Sequence, residues 1–161
     1  MLISLIPTFY VQVSPELLTI RNAKTGETVS DIPEIAIAHT PKPNIIGIGS
    51  EAGLHRSAPS VKVINPFAHP RSMVSDFTVG EQLLKAFLRR LIGNSIFAVS
   101  PKVVMHLMGE PAGGFTQVEI RAFHEMAIGA GASKVVIWQG QRLSDQELLS
   151  GEFPSGGAVL S

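Results

Sequence analysis

The fold is decided by the stretch FTQVEIRAFHEMAIGAGASKVVIW, residues 115–138. Thr116 is followed three positions later by Glu119, the capping-box pattern in which each side chain bonds the backbone N–H of the other residue at a helix start. Apolar residues around Phe123 then recur at helical spacing as far as a pair of glycines. The continuous apolar run at 134–138 is typical of a strand buried on both faces of a sheet. The stretch therefore predicts a helix followed by a buried strand, the repeating unit of an α/β domain.

The same pattern extends to both sides of this stretch. Upstream, Thr78 and Glu81 form another capping-box pattern at the start of a leucine-rich apolar face. A continuous apolar run at 102–108 lies between the two predicted helices and indicates a second buried strand. Downstream, Ser144 and Glu147 form a third capping box. The order from residue 78 onward is therefore predicted to be αβαβα.

The part of the chain before the first predicted helix contains strands and one insertion. Residues 8–38 hold short β-branched and aromatic runs separated by turn signals, which predict three strands that end with 35–38. The Pro- and Gly-rich residues 39–71 predict a small irregular insertion outside the main sheet. The order βββ, insertion, αβαβα predicts a three-layer α/β domain with a mixed sheet. We expect one domain over residues 1–150 and a flexible tail over 151–161.

Composition and charge exclude several classes of function. The 161 residues include 13 Lys and Arg and 13 Asp and Glu, a net charge of zero that lacks the basic character of a general nucleic-acid binder. The absence of cysteine excludes disulfide scaffolds, thiol catalysis and thiolate metal sites. The five histidines show no metal-ligand spacing, so we expect structural roles for them and no metal site. The apolar start ends at Pro7, far short of the ~20 residues of a membrane span. We therefore expect a cytoplasmic protein without a transmembrane segment.

Two segments of the chain resemble the MreB-type bacterial actins, the rod shape-determining proteins. Residues 115–137 resemble the family segment that reads Thr-x-Val-Glu-x-Arg-Ala into Ala-Gly-Ala and a strand. Residues 73–77, followed by Glu81, resemble the family's Val-Ile-Ala-Asp-Phe entry to the preceding helix. The resemblance covers residues 8–138 and implies the ribonuclease-H-like lobe of the actin, sugar kinase and heat-shock chaperone superfamily. Family members bind ATP between two lobes, and the resemblance ends with the first lobe.

The chain departs from the family where the phosphate chemistry would lie. The family's first hairpin carries Asp-x-Gly-Thr, whose amides and carboxylate hold phosphate and metal-bound water. Residues 11–17 here read VQVSPEL, with no glycine or aspartate and with a proline that removes an amide donor. After the last matched strand the family has Glu-Glu-Pro, one of whose acids is associated with activating water, whereas 139–141 read Gln-Gly-Gln. An amide cannot accept the proton, so we expect no ATPase activity and no cofactor.

The loops that follow the predicted strands are the candidate binding surface, because in two-lobed relatives such loops face the other lobe. The loop 109–114 precedes a helix start and fits either an anion site or a flexible connection. A tryptophan at a strand end fits equally an anchor for a partner or a core residue. The candidate residues, for a partner or a degenerate nucleotide surface, are Ser14, Pro15, Glu16, Glu110, Gly113, Gly114, Trp138 and Gln139.

We expect a non-catalytic, single-lobe actin-like protein that acts as a protein–protein interaction module linked to cell-shape or cytoskeletal machinery. The expected partners are a second copy, as a homodimer or higher oligomer, and an actin-like filament protein. The alternative is an enzyme that binds or hydrolyses ATP with magnesium in a site completed by dimerisation or a partner chain. The altered hairpin at 11–17 favours the first reading, while Gly113 and Gly114 keep the second open. A ribonuclease-H-like nuclease would need carboxylates on the central strands, which carry none.

Overall fold

A six-stranded sheet and a three-stranded sheet organise the residues that the computed structural model describes, which are 6–69, 72–93 and 99–161. The elements are β1 (Thr8–Val13), β2 (Leu18–Asn22), β3 (Thr28–Asp31), β4 (Ile35–Ala38), β5 (Asn44–Ile48), a 3-10 helix (Gly49–His55), β6 (Val61–Ile64), α1 (Phe77–Ile92), β7 (Lys102–Leu107), α2 (Gln117–Gly129), β8 (Lys134–Gln139), α3 (Asp145–Ser150) and β9 (Ala158–Val159). In the large sheet the strand order is β3-β2-β1-β7-β8-β9, with β1, β7 and β8 parallel and the remaining pairs antiparallel. The sheet is therefore mixed, as the sequence predicts.

The helices lie on both faces of the large sheet and give three layers. Side chains alternate across a strand, so Phe9 and Val11 of β1 join the core under α1 and α2, whereas Tyr10 joins a smaller cluster under α3. The predicted core residues Phe87 of α1 and Phe123 of α2 are fully buried. The three-layer α/β prediction is therefore confirmed, with the larger core on the face that carries the two long helices.

Two of the three predicted capping boxes are present. Thr116 with Glu119 starts α2, and Ser144 with Glu147 starts α3, each with both reciprocal hydrogen bonds. The prediction for α1 is wrong, because its N-cap is Asp76, whose carboxylate accepts a hydrogen bond from the Val79 amide at 3.1 Å. Aspartate is as good an N-cap as threonine, and it lies two residues earlier in the chain. Thr78 is consequently already inside the first turn.

The region predicted as an irregular insertion contains a small sheet instead. β5 and β6 pair antiparallel with the two edges of β4, in the order β5-β4-β6. β4 was expected in the main sheet, and this assignment is wrong because its partners are the apolar runs that follow it in the chain. Arg90 of α1 holds the small sheet in place, since its guanidinium bonds Asp31 of β3 and the carbonyl oxygen of Ile48 of β5.

Segment 151–161 also differs from the flexible tail that its glycine and serine content predicts. β9 pairs antiparallel with β8, and Gln139 lies opposite Ala158. The amide of Leu160 donates to the carbonyl oxygen of Ile137 at 2.8 Å, and the Leu160 side chain packs against the large core. The open edge of β8 offers backbone hydrogen bonds, and one apolar side chain adds buried contact.

Candidate functional site

Three loops predicted to form a binding surface meet at one edge of the large sheet. β1, β7 and β8 are parallel and in register, with Val13 beside Leu107 and His106 beside Trp138. Their carboxyl ends therefore point the same way, and the loops after them lie next to one another. In open α/β sheets this edge is the usual place for a ligand. We call it the strand-end edge.

The β1–β2 turn at this edge uses its own backbone amides. The Ser14 amide donates to the carbonyl oxygen of Leu17 at 3.1 Å, and the Leu17 amide donates to Ser14 Oγ at 3.1 Å. Pro15 has no N–H, and its carbonyl oxygen accepts a hydrogen bond from Asn65 Nδ2 at 2.7 Å. Three of the four turn positions thus have no amide to offer a phosphate. The remaining candidate of this turn, Glu16, is exposed to solvent.

A cavity of about 390 Å³ lies between this turn and the start of α2. Its volume falls within the range of small-molecule pockets, roughly 300–1,000 Å³. It brings together two candidates, Pro15 and Gly114, with three residues that the sequence analysis missed, Phe67, Ser72 and Met73. The missed residues lie in the connection from β6 to α1, and no local motif places that connection beside the strand-end edge.

Glu119 stands at the α2 end of this cavity with both carboxylate oxygens occupied. Oε1 accepts from the Thr116 amide and from Thr116 Oγ1, each at 3.0 Å, and Oε2 accepts from the Met73 amide at 3.1 Å and from Ser72 Oγ at 3.5 Å. Burial raises the pKa of Glu119, but the hydrogen bonds from Thr116, Met73 and Ser72 together outweigh it, so the pKa lies below its usual value. A negative charge of the chain itself therefore occupies the start of α2, where an anionic ligand would otherwise bind.

A second cavity, of about 420 Å³, lies at the ends of β7 and β8. It brings together three candidates, Glu110, Gly114 and Gln139, and the side-chain amide of Gln139 donates to the carbonyl oxygen of Gly109 at 3.4 Å. Its remaining wall includes residues 156–158, which the sequence analysis placed in a free tail. Ser14, Glu16 and Gly113 lie outside the walls of both cavities.

Trp138 is part of the core rather than of the surface. It is 1% exposed, and its indole N–H donates to the carbonyl oxygen of Gln141 at 2.9 Å. Its ring meets that of Phe153 edge to face, with the centroids 5.3 Å apart. Of the two readings that the sequence left open, the structure supports the core residue, because a partner cannot reach the ring without displacing what covers it.

Two further observations concern the described residues as a whole. Within residues 6–69, 72–93 and 99–161, no group of three or more His, Asp or Glu side chains is placed to hold a metal ion. Over the same ranges, no helix has the length and apolar character needed to cross a bilayer. The strand-end edge is thus an arrangement of hydrogen-bonded loops, glycines and two cavities, with one carboxylate, that of Glu119, whose oxygens already accept hydrogen bonds from within the chain.

Comparison with known proteins identifies the family. The family model for MreB/Mbl protein matches residues 18–143. The chain belongs to the MreB/Mbl family. It is 31% identical to the cell shape-determining protein MreB of Pasteurella multocida over 125 residues, 76% of this chain and 30% of that protein. It is 36% identical to MreB of Haemophilus influenzae over 96 residues, 58% of this chain and 26% of that protein. The chain therefore spans between about a quarter and a third of these relatives.

Solved structures confirm the fold of this MreB-family chain. The crystal structure of MreB5 of Spiroplasma citri bound to ADP superposes with a TM-score of 0.65 at 18% identity, covering 83% of this chain and 38% of that chain. The MamK double helical filament superposes with a TM-score of 0.59 at 12% identity, covering 81% of this chain and 40% of that chain. The expected actin-like, ribonuclease-H-like fold is therefore confirmed.

Proposed function

We propose that this chain is a protein–protein interaction module of the MreB-type cell-shape machinery, built on one actin-like lobe and without ATPase activity of its own. It works in the cytoplasm, and its partners are a second copy of itself and an actin-like filament protein. The observation that carries the proposal is the β1–β2 turn, where Ser14, Pro15 and Leu17 have no free amide for a phosphate.

The charges at the strand-end edge support the same reading. Glu119 places a negative charge at the start of α2, where a helix would otherwise attract a phosphate. At the end of β8 the side chain is the amide of Gln139, which cannot take a proton from an attacking water. The charge opposes binding of a nucleoside triphosphate at this edge, and the amide opposes its hydrolysis.

Protein partners suit the edge better than a nucleotide does. The first cavity has Pro15, Phe67 and Met73 in its walls, and the second has four glycines, so both present apolar or backbone surface beside the polar side chains of Glu119, Glu110 and Gln139. The zero net charge of the chain removes long-range repulsion between copies. The names of the relatives, cell shape-determining proteins, and the filament formed by MamK make cytoskeletal partners the natural candidates.

The alternative function is binding of ATP with magnesium in a site completed by dimerisation or by a partner chain. One observation favours it: MreB5 of Spiroplasma citri, which has this fold, has been crystallised with ADP and with AMPPNP. The loop before α2 also contains Gly113 and Gly114, both with positive φ angles, although the Gly114 amide already donates to the carbonyl oxygen of Pro111 at 2.8 Å.

Thermal unfolding with and without millimolar magnesium–ATP separates the two functions. A ligand at a hundred times its dissociation constant stabilises a protein by about 2.7 kcal/mol, which moves the melting temperature by several degrees. We expect no shift with ATP or ADP. A magnesium-dependent rise in the melting temperature would replace the proposed function with the alternative.

Co-sedimentation with a polymerised MreB-type protein tests the protein contacts directly. Glu110 is exposed at the strand-end edge, and Glu125 is exposed on α2 away from it. We expect Glu110→Lys to reduce the co-sedimenting fraction, because it reverses a charge inside the proposed contact. Glu125→Lys, the matched charge reversal, should leave it unchanged. Equal effects of the two variants would show that the contact lies elsewhere.

A further inference from the structure

We propose that segment 151–161 is exchanged between two copies of this chain, so that β9 of one copy completes the large sheet of the other. The inference rests on the self-association in the proposed function and names its route. The exchanged strand is Ala158–Val159, and the acceptor is the outer edge of β8. Exchange of an element between identical chains is a low-cost route to a dimer, because the contacts of the exchanged element already exist in the single copy.

The acceptor edge binds the segment through backbone groups. The Leu160 amide donates to the carbonyl oxygen of Ile137 at 2.8 Å, and the Ile137 amide donates to the carbonyl oxygen of Ser161 at 3.1 Å. Gln139 lies opposite Ala158 and Trp138 opposite Val159. These bonds are the same whether the strand comes from the same copy or from another one.

The acceptor edge also selects this particular segment. A Cβ atom on Gly157 would lie 2.4 Å from two ring atoms of Trp138 and 2.7 Å from the carbonyl oxygen of Gln139. A Cβ atom on Gly140 would lie 2.7 Å from the Gly157 Cα atom. The strand that passes here must therefore have a glycine at the position of Gly157. A second copy supplies that glycine at the right distance from an apolar Leu160, which favours a second copy over an unrelated edge strand.

The strand of this segment is short, and the connection before it contains glycines. β9 has only two residues, and the side chain of Val159 is 56% exposed. Gly151 ends α3 in the left-handed conformation with a φ angle of 76°, and glycines 156 and 157 precede β9. Glycines at both ends of a connection allow its direction to change at little steric cost. The chain can therefore change direction after α3, and Phe153, which packs against the cluster of Trp138 and Leu148, moves with the exchanged segment.

Exchange would also place a partner residue in the candidate site. Gly156, Gly157 and Ala158 form one wall of the 420 Å³ cavity, and Glu110 and Gln139 form another. In an exchanged dimer the first wall comes from the second copy. Each strand-end edge would then be complete only in the dimer, which joins self-association to the surface proposed for partner binding.

The absence of cysteine from the chain allows a direct test. Gln139→Cys and Ala158→Cys are prepared as separate variants, unfolded, mixed, refolded together and oxidised. Exchange places the substituted position 139 of one chain opposite the substituted position 158 of the other. We therefore expect a disulfide-linked heterodimer on a non-reducing gel. Each variant refolded and oxidised alone is the control for random pairing. A mixture that gives no more dimer than the controls overturns the exchange.

A pair of glycine variants tests the selectivity of the acceptor edge. In the mixed cross-linking experiment, Gly157→Ala should abolish the heterodimer, because its Cβ atom would overlap the Trp138 ring. Gly156→Ala should preserve it, because a Cβ atom there meets nothing within 4 Å. Equal yields from the two variants would contradict the proposed acceptor.

Light scattering of the unmodified chain separates the two levels of the proposal. The double variant Gln139→Cys, Ala158→Cys shows whether the disulfide forms within one chain or between two. If the unmodified chain has a dimer mass but the disulfide forms only within one chain, the protein self-associates without exchanging the segment. A monomer mass at high micromolar concentration would reject both.

Discussion

The hydroxyl of Tyr10 lies 2.5 Å from Nδ1 of His106, between two neighbouring parallel strands and under α3. The Leu143 amide donates to the same hydroxyl oxygen at 3.1 Å. The imidazole of His106 also hydrogen-bonds the backbone of Gly140. The loop from β8 to α3 is thus anchored at both ends on this buried pair. The structural role expected for His106 agrees with these contacts.

This pair predicts that the protein loses stability in mild acid. Burial lowers the pKa of His106 below 6.5, and the Gly140 hydrogen bond opposes the shift only partly. The unfolded chain therefore binds a proton at a higher pH than the folded chain does. The His106 contribution to stability is complete above pH 6.5 and decreases as the pH falls from 6.5 towards the lower folded-state pKa. Urea titrations at several pH values from about 7.5 to about 5.5 should show this decrease in the free energy of unfolding.

His106→Gln is the control for this pH dependence. It should lower the stability at neutral pH, because the acyclic amide side chain does not hold its donor and acceptor where the rigid ring holds its two nitrogens. It should also flatten the dependence of stability on pH in the same range. The pKa of Glu119 is also lowered, but the ordinary pKa of a glutamate is already only 4.5, so the contribution of Glu119 is lost at lower pH. A variant with an unchanged slope would show that another group causes the loss.

The start of α1 offers a second prediction, from two neighbouring residues. Asp76→Ala removes the acceptor for the Val79 amide and should lower the free energy of unfolding by about 1 kcal/mol. Thr78→Ala should change it by less than about 0.5 kcal/mol, because Thr78 is an exposed residue inside the first turn. Urea titrations of both variants measure the difference. A larger loss of stability from Thr78→Ala than from Asp76→Ala would show that Thr78 is the N-cap, as the sequence pattern predicts.

The sequence predicted the elements whose signals are local. The two partners of each capping box, Thr116 with Glu119 and Ser144 with Glu147, lie three positions apart. The apolar run of β7 lies before α2, and that of β8 lies between α2 and α3. Such signals depend on contacts between near neighbours, which a pattern can show. The order of the three parallel strands follows from these local elements, because right-handed β-α-β crossovers leave few alternative topologies.

The parts that the sequence could not predict depend on distant contacts. β9 forms because Ile137 offers its backbone to Leu160 and Ser161, and nothing in a Gly- and Ser-containing segment shows this. The wall of the first cavity needs Met73 beside Glu119, 46 residues apart in the chain. At the site, the sequence located the strand-end loops, but it could not place Trp138, whose burial depends on Phe153 and Gly157.

The packing of α2 gives a third prediction. Phe123 is fully buried, and the centroid of its ring lies 5.9 Å from that of Phe67 in a stacked arrangement. Truncation of such a side chain to alanine leaves a cavity and costs about 3–5 kcal/mol. Val118→Ala on the same helix is the control, because Val118 is 78% exposed. Thermal unfolding measures the difference. If Phe123→Ala has the same melting temperature as the parent protein, Phe123 does not pack in the core.

The last prediction concerns the link between the two sheets. Arg90 Nη1 donates to Asp31 at 3.2 Å, Nη2 donates to the Ile48 carbonyl oxygen at 3.1 Å, and the guanidinium lies over the Phe87 ring at 4.9 Å. Arg89 is the exposed neighbour on the same helix. Arg90→Ala loses a partly exposed ion pair and a cation–π contact, together about 1–2 kcal/mol, whereas Arg89→Ala should lose less than about 0.5 kcal/mol.

Hydrogen exchange shows where that loss is felt. Because Arg90 connects α1 to β3 and β5, we expect Arg90→Ala to speed amide exchange in β4, β5 and β6 while the amides of β7 keep their protection. Arg89→Ala should change neither group. Faster exchange in β7 as well would mean that the small sheet does not open separately, and that Arg90 supports the whole domain rather than the junction of its two sheets.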